Sequence, residues 1–121
     1  MRVVRIEQLK SVLGGLPDNP RVVASGNFAT PKVILGALDE ALPSYRLHML
    51  NAQGDIPDRE GVTYETTFVG PAMRNHPRLK YIPCRLSLVP VLYRDHYAPD
   101  VVLLHTSARR CLLYTTPSPR D

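Results

Sequence analysis

Residues 25 to 31 read Ser25-Gly26-Asn27-Phe28-Ala29-Thr30-Pro31, between the apolar run Val22-Val23-Ala24 and an amphipathic segment from Pro31 to Leu42. A turn of this kind can hold an anion. Gly26 lets the backbone bend or approach a ligand closely, Asn27 tolerates unusual dihedrals, and the N–H groups that open a helix favour negative charge. The segment is neither a P-loop nor a GxGxxG fingerprint, and Pro31 removes one donor, so a plain strand-to-helix connection fits the spacing equally well. Asn51 and Gln53, within Asn51 to Asp55, and Gly70, within Val69 to Pro71, close the two apolar runs that follow. They line the same crevice if those runs are neighbouring strands, and are ordinary turn residues otherwise.

Other residue types with chemistry are dispersed. His48, His76, His96 and His105 show no HxH or HxxxH spacing, so no metal site is expected, and His105, just beyond an apolar run, is the one histidine placed to reach a ligand. Glu60 and Glu65 are possible nucleophiles or bases, but a lone carboxylate on a loop or strand is ordinarily solvated. No Ser-His-Asp arrangement can be assembled from residue order. Cys84 and Cys111 are the only cysteines and lack a CxxC spacing, which predicts free thiols without a disulfide framework or zinc site.

Elements must hold these residues in place. Ile6, Leu9, Val12, Leu13 and Leu16 recur at helical spacing until Gly14-Gly15 and Pro17, and Arg21 to Ala24 has strand length and β-branched character. Thr30 as N-cap and Pro31 at the first helical position predict a helix from Pro31 to Leu42, with Val33, Ile34, Ala37, Leu38, Ala41 and Leu42 on one face. Tyr45 to Leu50 reads as a second strand and Asn51 to Gly61 as a surface loop. Val62 to Val69 reads as a third strand at an edge, with Val62, Tyr64, Thr66 and Phe68 on one face. Ala72 to Leu79 then predicts a short helix, Lys80 to Cys84 a short strand, and Ser87 to Arg94 a helix with Pro90 in its first turn. Val101 to Leu104 is a continuous apolar run, as expected of a strand covered on both faces. The alternation predicts an α/β domain with a mostly parallel sheet and flanking helices.

The totals agree with one domain. A chain of 121 residues with 44% hydrophobic content is long enough for one core, and its twelve prolines act as punctuation between apolar runs. The formal charge of +4 comes from scattered Lys and Arg with no basic run of five, which suits a phosphorylated or carboxylate ligand as well as nucleic acid. No apolar stretch reaches the roughly 18 residues of a membrane span and the amino terminus turns polar at once, so a cytoplasmic protein without a membrane partner is expected.

Several segments together carry a resemblance. RVVASGNFATPKVILGALDEAL, YRLHMLNAQGDIPDREGVTYETTFVGPAMR, LKYIPCRLSLVPVLYR and PDVVLLHTS resemble, in that order, the N-terminal region of the acetyl-CoA hydrolase/transferase family, the branch with acetate, succinate and 4-hydroxybutyrate CoA-transferases. The resemblance spans residues 1 to 107, read as a partial N-terminal domain of CoA-transferase type. It implies an enzyme of two similar α/β domains that moves coenzyme A between acyl-CoA and a small carboxylate, or hydrolyses acetyl-CoA. Coenzyme A is then a substrate, no cofactor is needed, and the full-length enzyme is read as a homodimer. A glutamate carboxylate attacks the thioester, the mixed anhydride captures CoA as a glutamyl-CoA thioester, and a second acid or water takes over. The resemblance puts that glutamate in the later half of a longer chain, so neither Glu60 nor Glu65 inherits the role and no catalytic residue is assigned here. Gly26, Asn27, Phe28, Ala29, Thr30, Asn51, Gln53 and Gly70 are the expected substrate-binding residues.

Residues 108 to 121 depart from this pattern. Cys111-Leu112-Leu113-Tyr114-Thr115-Thr116-Pro117-Ser118-Pro119-Arg120-Asp121 resembles a translated sequencing-library adapter, which suggests an unstructured tail entered at about Arg109 or Arg110. A sheet cut at that point would leave an open edge and low solubility. Two other readings stand beside the first. One is a small basic α/β module for a phosphorylated ligand or nucleic acid. The other is a sugar-phosphate isomerase-like enzyme, for which no acid and base pair is found.

Overall fold

A computed structural model describes residues 3–106. The proposed tail, 108 to 121, with Cys111, lies outside the described residues, as does position 107 at the end of the proposed domain.

Five strands, Arg21–Ala24 (β1), Tyr45–His48 (β2), Val62–Thr66 (β3), Leu79–Tyr81 (β4) and Val101–Leu103 (β5), form one sheet. The order is β4-β3-β2-β1-β5 and every neighbouring pair is parallel. The expected α/β architecture is therefore present, with a sheet that is wholly parallel. Helical segments connect or flank the strands: Leu9–Val12 (α1) between two 3-10 turns, Lys32–Ala41 (α2) and Val89–Asp95 (α3) after a 3-10 turn at Leu86–Leu88.

The two faces of the sheet differ in chemistry because side chains alternate along each strand. Val22 and Ala24, Tyr45 and Leu47, and Val62 and Tyr64 form the apolar face, and all six are buried. Leu35 and Leu38 of α2 join them in the core, with Leu13 from the opening helical segment. Truncating Leu38, which is fully buried, to alanine would cost about 2–5 kcal/mol through lost burial and the cavity left behind. The opposite face carries Arg21, Arg46, His48, Thr63, Glu65 and Lys80, and α3 crosses it, with Tyr93 edge-on to His48 and Tyr97 under Arg21. The helices thus lie on opposite faces, and the chain reverses its winding between β1 and β5.

Several local expectations are corrected. Thr30 does not cap α2: Pro31 is the N-cap residue, and the Thr30 hydroxyl donates to the Asn27 carbonyl instead. Residues 71–75 are turns and not a helix, because Pro71 and Pro77 leave too few residues to nucleate one and Asn75 takes a positive φ of 57°. The fourth strand stops at Tyr81, and Pro83, without an N–H, cannot extend its ladder. The third strand ends at Thr66 and is interior, between β2 and β4, while Phe68 turns outward as the hydroxyl of Thr66 bonds the Phe68 backbone. The last strand is one of the two edges, with β4 the other; Val102 is 54% exposed and Leu104 65%, so this run is covered on one face only. Its apolar continuity records no second layer over Val102.

Arg59 anchors the loop between β2 and β3. Its guanidinium donates to the carbonyls of Asp39, Leu42 and Pro43 and to the Asp39 carboxylate, which satisfies the free carbonyls at the end of α2.

Candidate functional site

The carboxyl ends of parallel strands are where loops converge, and in this sheet three loops do so side by side. The β1–α2 loop is joined to the loop after β2 by a bridge between Asn27 and Ala52, a bond from the Asn27 N–H to the Asn51 carbonyl, and one from the Asn51 amide to the Asn27 side-chain oxygen. The loop after β3 is tied on in turn, since the Asn51 N–H donates to the Phe68 carbonyl and the Ala72 N–H to the Ala52 carbonyl. Gln53 adds a bond from its side-chain amide to the Asn51 carbonyl. Asn27 and Asn51 both sit at positive φ, 52° and 53°, which asparagine tolerates because its side chain bonds locally.

Gly26 and Gly70 are required by this stitching. A Cβ at Gly26 would collide with the Leu50 carbonyl, and one at Gly70 with the backbone of Ala52. Their bare backbones make room for a neighbouring loop.

Of the eight expected binding residues, Gly26, Asn27, Asn51, Gln53 and Gly70 therefore come together as one rigid wall. Ala29 closes the turn through its N–H to the Gly26 carbonyl. Phe28 and Thr30 face a separate space. Together with Pro31, Lys32, Val33, Ile34, Leu104 and His105 they line a crevice of about 470 Å³ at the end of β1 and β5. This is the point where the winding reverses, the usual location of a ligand in an open parallel sheet. Its walls are apolar: Phe28 is 95% exposed and Val33 79%. Polar groups are few, with Lys32 paired to Asp55 at 3.0 Å on the surface and His105 at the opposite rim. Lys32, Val33 and Leu104 were not singled out in the sequence; the signal for them was the adjacency of β1 and β5, which residue order alone does not contain. No side chain caps the first turn of α2 beside the crevice.

On the polar face a second crevice of about 200 Å³ reaches the same strand ends, lined by Ser25, Gly26, Leu50, Tyr93, Val102 and Leu103 of β5 and the following Leu104. Burial raises the Tyr93 hydroxyl above its ordinary pKa.

Glu65 is not solvated, contrary to the expectation for a lone carboxylate. It is 4% exposed and accepts from Arg21 through Nε at 2.7 Å and a terminal nitrogen at 3.2 Å. The His48 Nδ1 lies 3.8 Å from the same carboxylate, beyond hydrogen-bond range. Burial pushes the Glu65 carboxyl up, but the adjacent His48 ring and the Arg21 guanidinium outweigh it and hold the group at about 2. Both oxygens are engaged by Arg21 and the side chain is buried, so Glu65 is held in a structural ion pair and is not presented to the crevice at the β1–β5 end. His76 is occupied as well: its Nδ1 accepts from the Arg78 N–H and its Nε2 meets Asp58 at 2.9 Å.

Cys84 is a free, half-buried thiol. No group of three His, Cys, Asp or Glu side chains among the described residues is arranged to hold a metal ion, and no helix among them is long and apolar enough to cross a membrane. The chain matches no family model and no curated protein.

Proposed function

We propose that this chain is the N-terminal part of an enzyme of the acetyl-CoA hydrolase/transferase type, which moves coenzyme A between an acyl-CoA and a small carboxylate or to water. The observation that carries the reading is the crevice at the β1–β5 reversal, apolar on most sides and rimmed by Lys32 and His105. That combination suits a short acyl chain ending in a thioester or carboxylate: Phe28, Val33, Ile34 and Leu104 line the chain with apolar surface, and His105 supplies a polar group at the rim. The wall of Gly26, Asn27, Asn51, Gln53 and Gly70, with the turn closed by Ala29, holds Phe28, Thr30 and the start of α2 in place. In this reading these residues position the pocket more than they contact the ligand.

The nucleophilic glutamate is assigned outside this chain. Glu65 is sequestered by Arg21, and Glu60 lies on the loop after β2, away from the crevice lining. Coenzyme A is the substrate that carries the acyl group, and cytoplasmic placement suits such soluble reactants. The test is to recover the complete gene and assay CoA exchange between acetyl-CoA and a panel of carboxylates. A borohydride-sensitive enzyme-CoA thioester is expected, with Phe28→Ala raising KM for the acyl donor. Absence of both exchange and thioester would overturn the reading.

A further inference from the structure

The opposite, amino-terminal edge of the sheet carries a second arrangement with no part in the reading above. Register places Arg21 of β1 beside Arg46 of β2, Arg46 beside Thr63 of β3, and, one position before the Tyr64–Leu79 pair, Thr63 next to Arg78 at the start of β4. One residue pair further along, Glu65 is beside Lys80. Four cationic side chains therefore converge on the uncovered part of the polar face. They line a groove of about 420 Å³ with Thr63, Glu65 and Pro77.

Like charges directly opposite each other on adjacent strands are destabilising, so the row needs negative charge. The protein supplies part of it. Glu65 neutralises Arg21, and Asp58 accepts from Arg78 at 2.6 Å. Arg46 and Lys80 are left over: no carboxylate lies within salt-bridge distance of either among the described residues. The Arg46 Nε donates to the Asn19 carbonyl, which fixes the guanidinium and leaves its terminal nitrogens to the groove. Lys80 is held over the Tyr97 ring at 5.2 Å. A guanidinium matched with an ammonium and a hydroxyl is a donor set that planar and tetrahedral oxyanions take.

We propose that this groove binds the phosphate groups of a small phosphorylated molecule, with Arg46 and Lys80 as the binding cations and Thr63 as a hydroxyl donor. Its volume is in the range of a small-molecule site, and the cations are confined to one groove instead of forming the stripe that a nucleic acid would follow. The β1–α2 loop, where an anion was considered from the sequence, has Lys32 alone, already paired with Asp55.

The test is calorimetric titration of the full chain with inorganic pyrophosphate, and with ADP in a second arm. One saturable site is expected whose affinity falls as salt is raised, and Arg46→Ala combined with Lys80→Ala should weaken it about tenfold or more. Both residues are off the core, so circular dichroism should show the variant folded. Equal affinities for the two ligands identify the phosphate group alone as what is bound; tighter ADP binding identifies a nucleoside diphosphate. Absence of a saturable site, an unchanged affinity in the double variant, or weakening by Lys32→Ala in its place would overturn the proposal. None of these results depends on CoA transfer at the other edge.

Discussion

Arg21 on β1 and Glu65 on β3 meet across 2.7 Å over the strand that separates them, with the fully buried His48 of β2 beneath. The pair ties three strands together on the polar face and decides what that face can do. Glu65 is consumed by structure, and Arg21 with it, which leaves Arg46 and Lys80 as the unneutralised charges.

Acid should unfold the protein through this pair. Glu65 titrates at about 2 in the fold against an ordinary 4.5, so the unfolded chain binds its proton more tightly than the native state. The resulting stabilisation is complete above pH 4.5 and is lost as pH falls toward 2, about 3 kcal/mol in all and about 2 kcal/mol of it by pH 3. Urea melts between pH 6 and pH 3 should show that slope. Glu65→Gln should flatten it and lower stability at pH 6 by about 3–5 kcal/mol, because Arg21 is left buried without a counter-charge. An unchanged slope in the variant would show that the pair does not control acid stability.

Two glycines should respond to alanine in opposite directions. At Gly26 the added methyl meets the Leu50 carbonyl, so the wall of loops must move, at a cost of about 3 kcal/mol. At Gly36, within α2, nothing lies within 4 Å, and alanine should stabilise by about 1 kcal/mol through helix propensity. Thermal melts of the two variants check this, and equal shifts would contradict the close packing of the β1–α2 loop on the loop after β2.

The β5 edge should govern solubility. Val102, Leu104 and Phe28 are exposed together at one end of the sheet, and β5 has a free side without a charged residue among Val101 to Leu103. Val102→Lys should reduce light scattering at high concentration and change stability by no more than about 0.5 kcal/mol, since an edge charge opposes strand addition without touching the core. Scattering that stays at the level of the unchanged chain would place the association elsewhere.

The strands β1 and β2 and the helix α2 were legible because local signals coincide there: β-branched runs with period two, then apolar residues at helical spacing bounded by Pro31 and Pro43. The short pieces between Gly70 and Arg85 were not, because three prolines, Pro71, Pro77 and Pro83, permit a turn, a strand or a helix with similar local energies. The candidate wall was half legible. Gly26 and Asn27 stand out in the sequence as turn residues and Asn51 and Gly70 as the ends of strands; the two asparagines use positive φ and the two glycines use their missing side chains, in both cases for loop-to-loop contact.

Residue order by itself determined the α/β alternation, the position of the loops at strand ends, and the capacity of Gly26 and Asn27 for an unusual turn, since each follows from interactions within a few residues. Tertiary structure alone decided that Val101 to Leu103 lies beside β1 and so makes a crevice with Phe28 and Lys32. It also decided that Glu65 is spent on Arg21 while Arg46, Arg78 and Lys80 share one groove. Strand order and register bring together residues tens of positions apart, and the long-range pairing that sets them leaves no mark in the local pattern of any one strand.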